Sequence, residues 1–135
     1  MPVPFLGCMV LVANFYRLPP RALPSIQAVE GGAPGVVRRD GNGTDDLGVM
    51  QVNTIWVDPL VRVTHLTPLS VRTRLIVDPC FNIAAAGAIL RLYLSQTHNL
   101  LLAIGDYHSH TPVLNQAYQN AVLAAARRLF TAAGN

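Results

Sequence analysis

A mainly α-helical fold in one domain, residues 1–135, follows from three observations. The chain is long enough to bury a real core but short for two. It is 51% hydrophobic and only 13% charged, which excludes a disordered polymer and favours a packed one. Thr67-Pro68, Asp78-Pro79 and Thr111-Pro112 each pair an N-cap residue with a proline suited to the first helical position, and each is followed by helically spaced apolar residues. There is no internal repeat, no low-complexity tract and no long alternating run.

The first element is a helix from Pro4 to about Tyr16, with Phe5, Cys8, Met9, Val12, Phe15 and Tyr16 on one face. No basic residue precedes this apolar run and no small-x-small cleavage site follows it, so it reads as a core helix and not as a signal peptide. It is also too short to span a bilayer, and no membrane span is expected elsewhere. Leu18-Pro19-Pro20-Arg21 turns the chain into a second helix, starting at Pro20 or after Leu23, that ends at Glu30 before Gly31 and Gly32. Gly31 to Asp46 reads as a long loop with a turn at Asn42-Gly43. Val49 to Thr54 alternates briefly, and Ile55 to His65 resumes a helical pattern.

Thr67-Pro68 opens a short helix to about Leu75. Asp78-Pro79 opens a long one to His98-Asn99, with Ile83, Ala86, Gly87, Leu90, Tyr93 and Leu94 on one face. Gly87 inside it costs about 1 kcal/mol against Ala, which implies close approach by another helix. Leu100 to Gly105 is apolar, and Asp106-Tyr107-His108-Ser109-His110 reads as a polar loop. The last helix, from Thr111-Pro112, is expected to turn Leu114, Ala117, Tyr118, Ala121, Ala125 and Leu129 inward.

Charge excludes some functions. The net charge of +3 comes from arginines alone, and they are scattered, which does not mark a nucleic-acid binder. His108-x-His110 lacks a third ligand at sensible spacing, so neither metal nor cofactor is expected. No Gly-x-Ser-x-Gly elbow is present, and Cys80 has no evident His partner. Cys8 and Cys80 are the only cysteines, and the sequence leaves a disulfide and two buried free thiols equally open.

The residue that organises the chain is Glu30. It sits in the last turn of its helix, where partial negative charge disfavours a carboxylate, and follows the apolar run from Ile26 to Val29. Both effects hold it protonated, as a general acid requires; the plain alternative is a solvated glutamate at a frayed end. Asp40, Asp45 or Asp46 can be the second carboxylate of a glycosidase pair, or can bond the loop's own backbone.

Four motifs stand in a set order: Ala28-Val29-Glu30-Gly31-Gly32; Gly48-Val49-Met50-Gln51-Val52-Asn53; Cys80-Phe81-Asn82-Ile83 with Gly87 and Leu90; and Tyr107-His108-Ser109. Together they resemble the soluble lytic transglycosylase family, in particular the small single-domain members that accompany type IV and type III secretion, conjugation and pilus machines. The resemblance implies a goose-type lysozyme-like fold, a periplasmic location and peptidoglycan strands as substrate. It implies that Glu30 is the single acid and base. Gly48, Met50, Gln51 and Asn53 would line the cleft, with Gln51 bonding sugar or peptide and Met50 packing on the acid. Tyr107 would bring its hydroxyl near Glu30, with His108 beside it, and Asn82 and Gly87 would be structural. Cys8 and Cys80 match cysteines of the secretion-associated members, which implies a disulfide. Two positions depart from the pattern. Gly31 stands where the family usually has Ser, and His108 where it usually has Asn, as a substitute donor or a titrating group. A lysozyme-type hydrolase and a wall-binding scaffold with a relic cleft are the alternatives.

Overall fold

The computed structural model describes residues 2–131; Met1 and residues 132–135, the ends of the expected domain, lie outside it. Seven α-helices and a small sheet make up the described chain. The helices are α1 (Leu6–Tyr16), α2 (Ala22–Glu30), α3 (Val57–Thr64), α4 (Pro68–Val77), α5 (Pro79–Thr97), α6 (Leu100–His108) and α7 (Pro112–Phe130). The mainly helical expectation holds. No single helix among the described residues is long and apolar enough to cross a membrane.

Helix α5 is the axis. It is opened by Asp78, whose side chain accepts from the Phe81 N–H, and it buries residues from Asn82 to Tyr93 on more than one side. Helices α1, α4 and α6 pack against it, and α7 closes the bundle against α2 and α6. Gly87 is where α1 crosses: a Cβ there would run into Val12 and Tyr16. Cys8 of α1 and Cys80 of α5 are joined by a disulfide, Cα to Cα 5.4 Å. Pro24 is the third residue of α2, where its missing N–H has no partner to lose.

Four expectations are corrected. The stretch read as loop holds a hairpin of β1 (Val37–Arg39) and β2 (Asp45–Leu47), antiparallel, with β3 (Val52–Asn53) paired to β2. The register sets Arg38 against Asp46 and Arg39 against Asp45. The strands are too short and too charged to show alternation: one apolar pair, Val37 with Leu47, stands beside two pairs of opposite charge. The expected loop at Asp106–His108 is the end of α6, which runs on because Tyr107 packs against the core. In α7 the inward residues are Asn115, Tyr118, Val122 and Ala125, while Leu114, Ala117 and Ala121 face out. Asn115 meets Gly105 of α6, a contact between a polar and a small residue that apolar spacing does not register. In α1 the buried residues are Met9 and Ala13, and Phe15 is 78% exposed.

Candidate active site

Local chemistry first delivers Glu30 to its place. Gly31 closes α2 in the left-handed conformation (φ 66°), and its N–H bonds the Gln27 carbonyl at 2.8 Å. The helix end is capped from outside: Arg38 of β1 donates to the Glu30 carbonyl at 2.7 Å and to the Gly31 carbonyl at 3.1 Å. A guanidinium there offsets the negative end of the helix.

The facing wall is built by Asn82. Fully buried on α5, it accepts from the Met50 N–H and donates to the Leu47 and Leu75 carbonyls, each at 2.8 Å. It thereby pins the Leu47–Met50 stretch to the end of α4. Gly48 is obligatory in this arrangement, since φ is +70° and a Cβ would strike the Leu75 carbonyl and the Asn82 amide. The chain then doubles back, and Gln51 at φ 54° donates both its N–H and its side-chain amide to the Gly48 carbonyl. Asn53 ties the hairpin down. Its amide reaches Asp40 at 2.9 Å, Thr44 at 2.8 Å and Asp46 at 3.0 Å.

Between these walls lies a cleft of about 260 Å³. Of the residues singled out in the sequence, Glu30, Gln51, Asn53, Tyr107 and His108 meet on it. Gly48 and Met50, expected on its wall, lie behind it and are buried. Gly48 supplies the carbonyl that anchors Gln51. Met50 fills the core, and its own carbonyl accepts from the Tyr107 hydroxyl at 2.8 Å. Of the loop aspartates, Asp40 and Asp46 line the cleft, whereas Asp45 pairs with Arg72 at 3.0 Å and with Arg39 at 3.8 Å.

The hydroxyl bonded to Glu30 belongs to Tyr118, not to Tyr107. Tyr118 on α7 donates to Glu30 Oε2 at 2.6 Å. His108 stacks flat on the Tyr118 ring, centroids 4.8 Å apart and planes 11° apart. Sequence reasoning placed Tyr118 only on a core face. The two partners are 88 residues apart, so no local signal could pair them. It also missed Trp56 and Tyr93, which meet edge to face at 5.9 Å and line the cleft beside His110. His110 in turn bonds Asp106 at 3.1 Å.

Burial raises the Glu30 pKa to about 7; the Tyr118 hydrogen bond pulls it down, Asp46 raises it, Arg38 lowers it and Asp40 raises it. A carboxyl so placed is partly protonated at neutrality and can give a proton to a leaving oxygen. Because Tyr118 donates to Oε2, the acidic proton belongs on Oε1. Burial also pushes Asp46 up to about 6, with the Asn53 amide lowering it and neighbouring Asp40 raising it. Tyr107 and Tyr118 are both held above the ordinary phenol range, chiefly by burial and next by Glu30, so their hydroxyls remain donors. No protein-family model matches the chain, and no curated protein matches its sequence.

Proposed function

We propose that the chain is a peptidoglycan lytic transglycosylase of the soluble lytic transglycosylase kind, with a goose-type lysozyme-like fold. One observation carries the reading: a half-buried glutamate, its pKa raised to about 7, stands on an open cleft with a tyrosine hydroxyl fixing one oxygen. The ordered motifs from Ala28 to Ser109 support it independently.

In this reading Glu30 protonates the β-1,4 glycosidic oxygen between N-acetylmuramic acid and N-acetylglucosamine, and the C1–O bond breaks. The carboxylate then takes the proton of the muramoyl C6 hydroxyl as that oxygen attacks C1. A 1,6-anhydro ring forms, the proton returns to Glu30, and no water is consumed. Tyr118 holds the carboxyl through both steps. Trp56, half-buried on the cleft, suits the apolar face of a sugar ring, and the Gln51 side chain offers a polar contact. The enzyme would work on the periplasmic wall, opening it locally for a secretion, conjugation or pilus machine.

Asp46 favours a second reading. It lies close enough to Glu30 to raise its pKa, as the second carboxylate of a hydrolase would. There Asp46 would steady the cationic intermediate and water would attack C1. Mass spectrometry of muropeptides released from purified peptidoglycan separates the two. Anhydro products, lost in Glu30→Gln, are expected. Reducing ends would replace the transglycosylase by the hydrolase. Binding without any product from either protein would leave a scaffold.

A further inference from the structure

Helix α1 is apolar on both sides but for the exposed Asn14, yet only one side of it is covered. Met9 and Ala13 are buried, and the disulfide at Cys8 locks that side to α5. The other side presents Leu6, Val10, Leu11 and Phe15, exposed by 51%, 46%, 71% and 78%. No charged residue occurs in α1. Four large apolar side chains exposed together on one helix face ordinarily mark a surface that something else covers.

Charge identifies what covers the open side. Arg17 ends α1, and Arg21 follows at the start of α2. The Arg21 guanidinium lies 5.2 Å over the ring of Phe130, which brings in Arg127 and Arg128 from the last turn of α7. All four arginines are exposed, and among the described residues none has a carboxylate partner. Residues 1–29 and 107–135 contain no acidic side chain at all, whereas Glu30, Asp40, Asp46 and Asp106 gather on the cleft. An apolar ridge ending in uncompensated cations fits a surface that is itself apolar beneath and anionic on top.

The geometry points to α1 and its arginine cluster as a docking surface for an anionic lipid bilayer. The helix lies in the headgroup plane, with Leu6, Val10, Leu11 and Phe15 toward the acyl chains and Arg17, Arg21, Arg127 and Arg128 toward lipid phosphates. It does not cross: eleven residues span about 16 Å against a hydrocarbon core of about 30 Å, and the disulfide holds the helix to the protein.

The test is co-sedimentation with vesicles of phosphatidylcholine alone or mixed with phosphatidylglycerol, with unchanged thermal melting as the criterion that each variant is folded. Binding is expected only with phosphatidylglycerol, weakening with salt. Each Arg→Gln change at 17, 21, 127 or 128 should weaken it about fivefold, and Leu11→Asp or Phe15→Asp at least about tenfold. In a Trp56→Phe background, Phe15→Trp should shift its emission to the blue on vesicle addition. Equal binding to both vesicles, or binding without that shift, overturns the proposal. So does a lipid-free dimer that Phe15→Asp converts to monomer, which would give the face to a second copy. Failure to bind either vesicle overturns it as well and leaves an acidic protein as the occupant.

Discussion

In the proposed reaction two requirements conflict at Glu30. A general acid must keep its proton near neutrality, and burial achieves this by making the charged form costly. The same cost falls on stability. Above the ordinary glutamate pKa the unfolded chain ionises while the folded chain does not, so stability declines between about pH 4.5 and about 7 and stays lowered beyond. Glu30→Gln should therefore stabilise the protein at pH 8, by something of order 2 kcal/mol, and leave it nearly unchanged at pH 4. Thermal melts at the two pH values check this. The same variant should lose turnover, in keeping with the usual opposition between activity and stability.

The partners of Glu30 tune it in known directions. Activity that needs protonated Glu30 falls as pH rises through about 7. Tyr118 lowers that pKa by its hydrogen bond, so Tyr118→Phe should move the alkaline limb of kcat/KM to higher pH. A limb that does not move would show that the Glu30 carboxyl is not the group whose protonation controls the rate. A hydrolase that needs ionised Asp46 adds an acid limb near its value of about 6, giving a bell in place of a plateau at low pH.

At the scale of elements, the cleft depends on how the Leu47–Asn53 stretch is held, and one amide holds most of it. Asn82→Ala leaves a buried N–H and two buried carbonyls without partners. The expected loss is about 3 kcal/mol or more, read as a lowered denaturant midpoint. The hairpin is a lighter structure. Its strands are three residues each, and beside the Arg38 and Asp45 contacts it is held by the Asn53 amide shared among Asp40, Thr44 and Asp46. Asn53→Ala should loosen the hairpin and change amide exchange of residues 37–47 more than that of α5, because so short a hairpin is marginal without its anchor.

Across the whole molecule, α1 is fastened to α5 by packing at Gly87 and by the Cys8–Cys80 bond, which closes a loop of 72 residues' separation. Loop-closure entropy puts its contribution at about 4 kcal/mol. Cys8→Ser with Cys80→Ser should lower the melting temperature by roughly 15 °C. Calorimetry of the oxidised and the doubly substituted protein measures it. A melting temperature unchanged within about 2 °C would assign the fastening to packing alone.

The sequence by itself determined the helical class, most helix starts and which glutamate ends a buried helix turn. These are local matters: Thr67, Asp78 and their prolines declare helix starts within a few residues, and Glu30 declares itself by an apolar run ended by two glycines. Asp40, Asp45 and Asp46 are equal candidates in the sequence, and only the hairpin register, which sets Asp45 against Arg39, takes Asp45 off the cleft. Only the tertiary structure decided which hydroxyl meets Glu30, that Gly48 and Met50 stand behind the cleft and not on it, and which face of α7 turns inward. Each of those depends on which elements pack together. Tyr118 and Glu30 touch because α2 and α7 dock, and no periodicity along either helix encodes the partner it will meet.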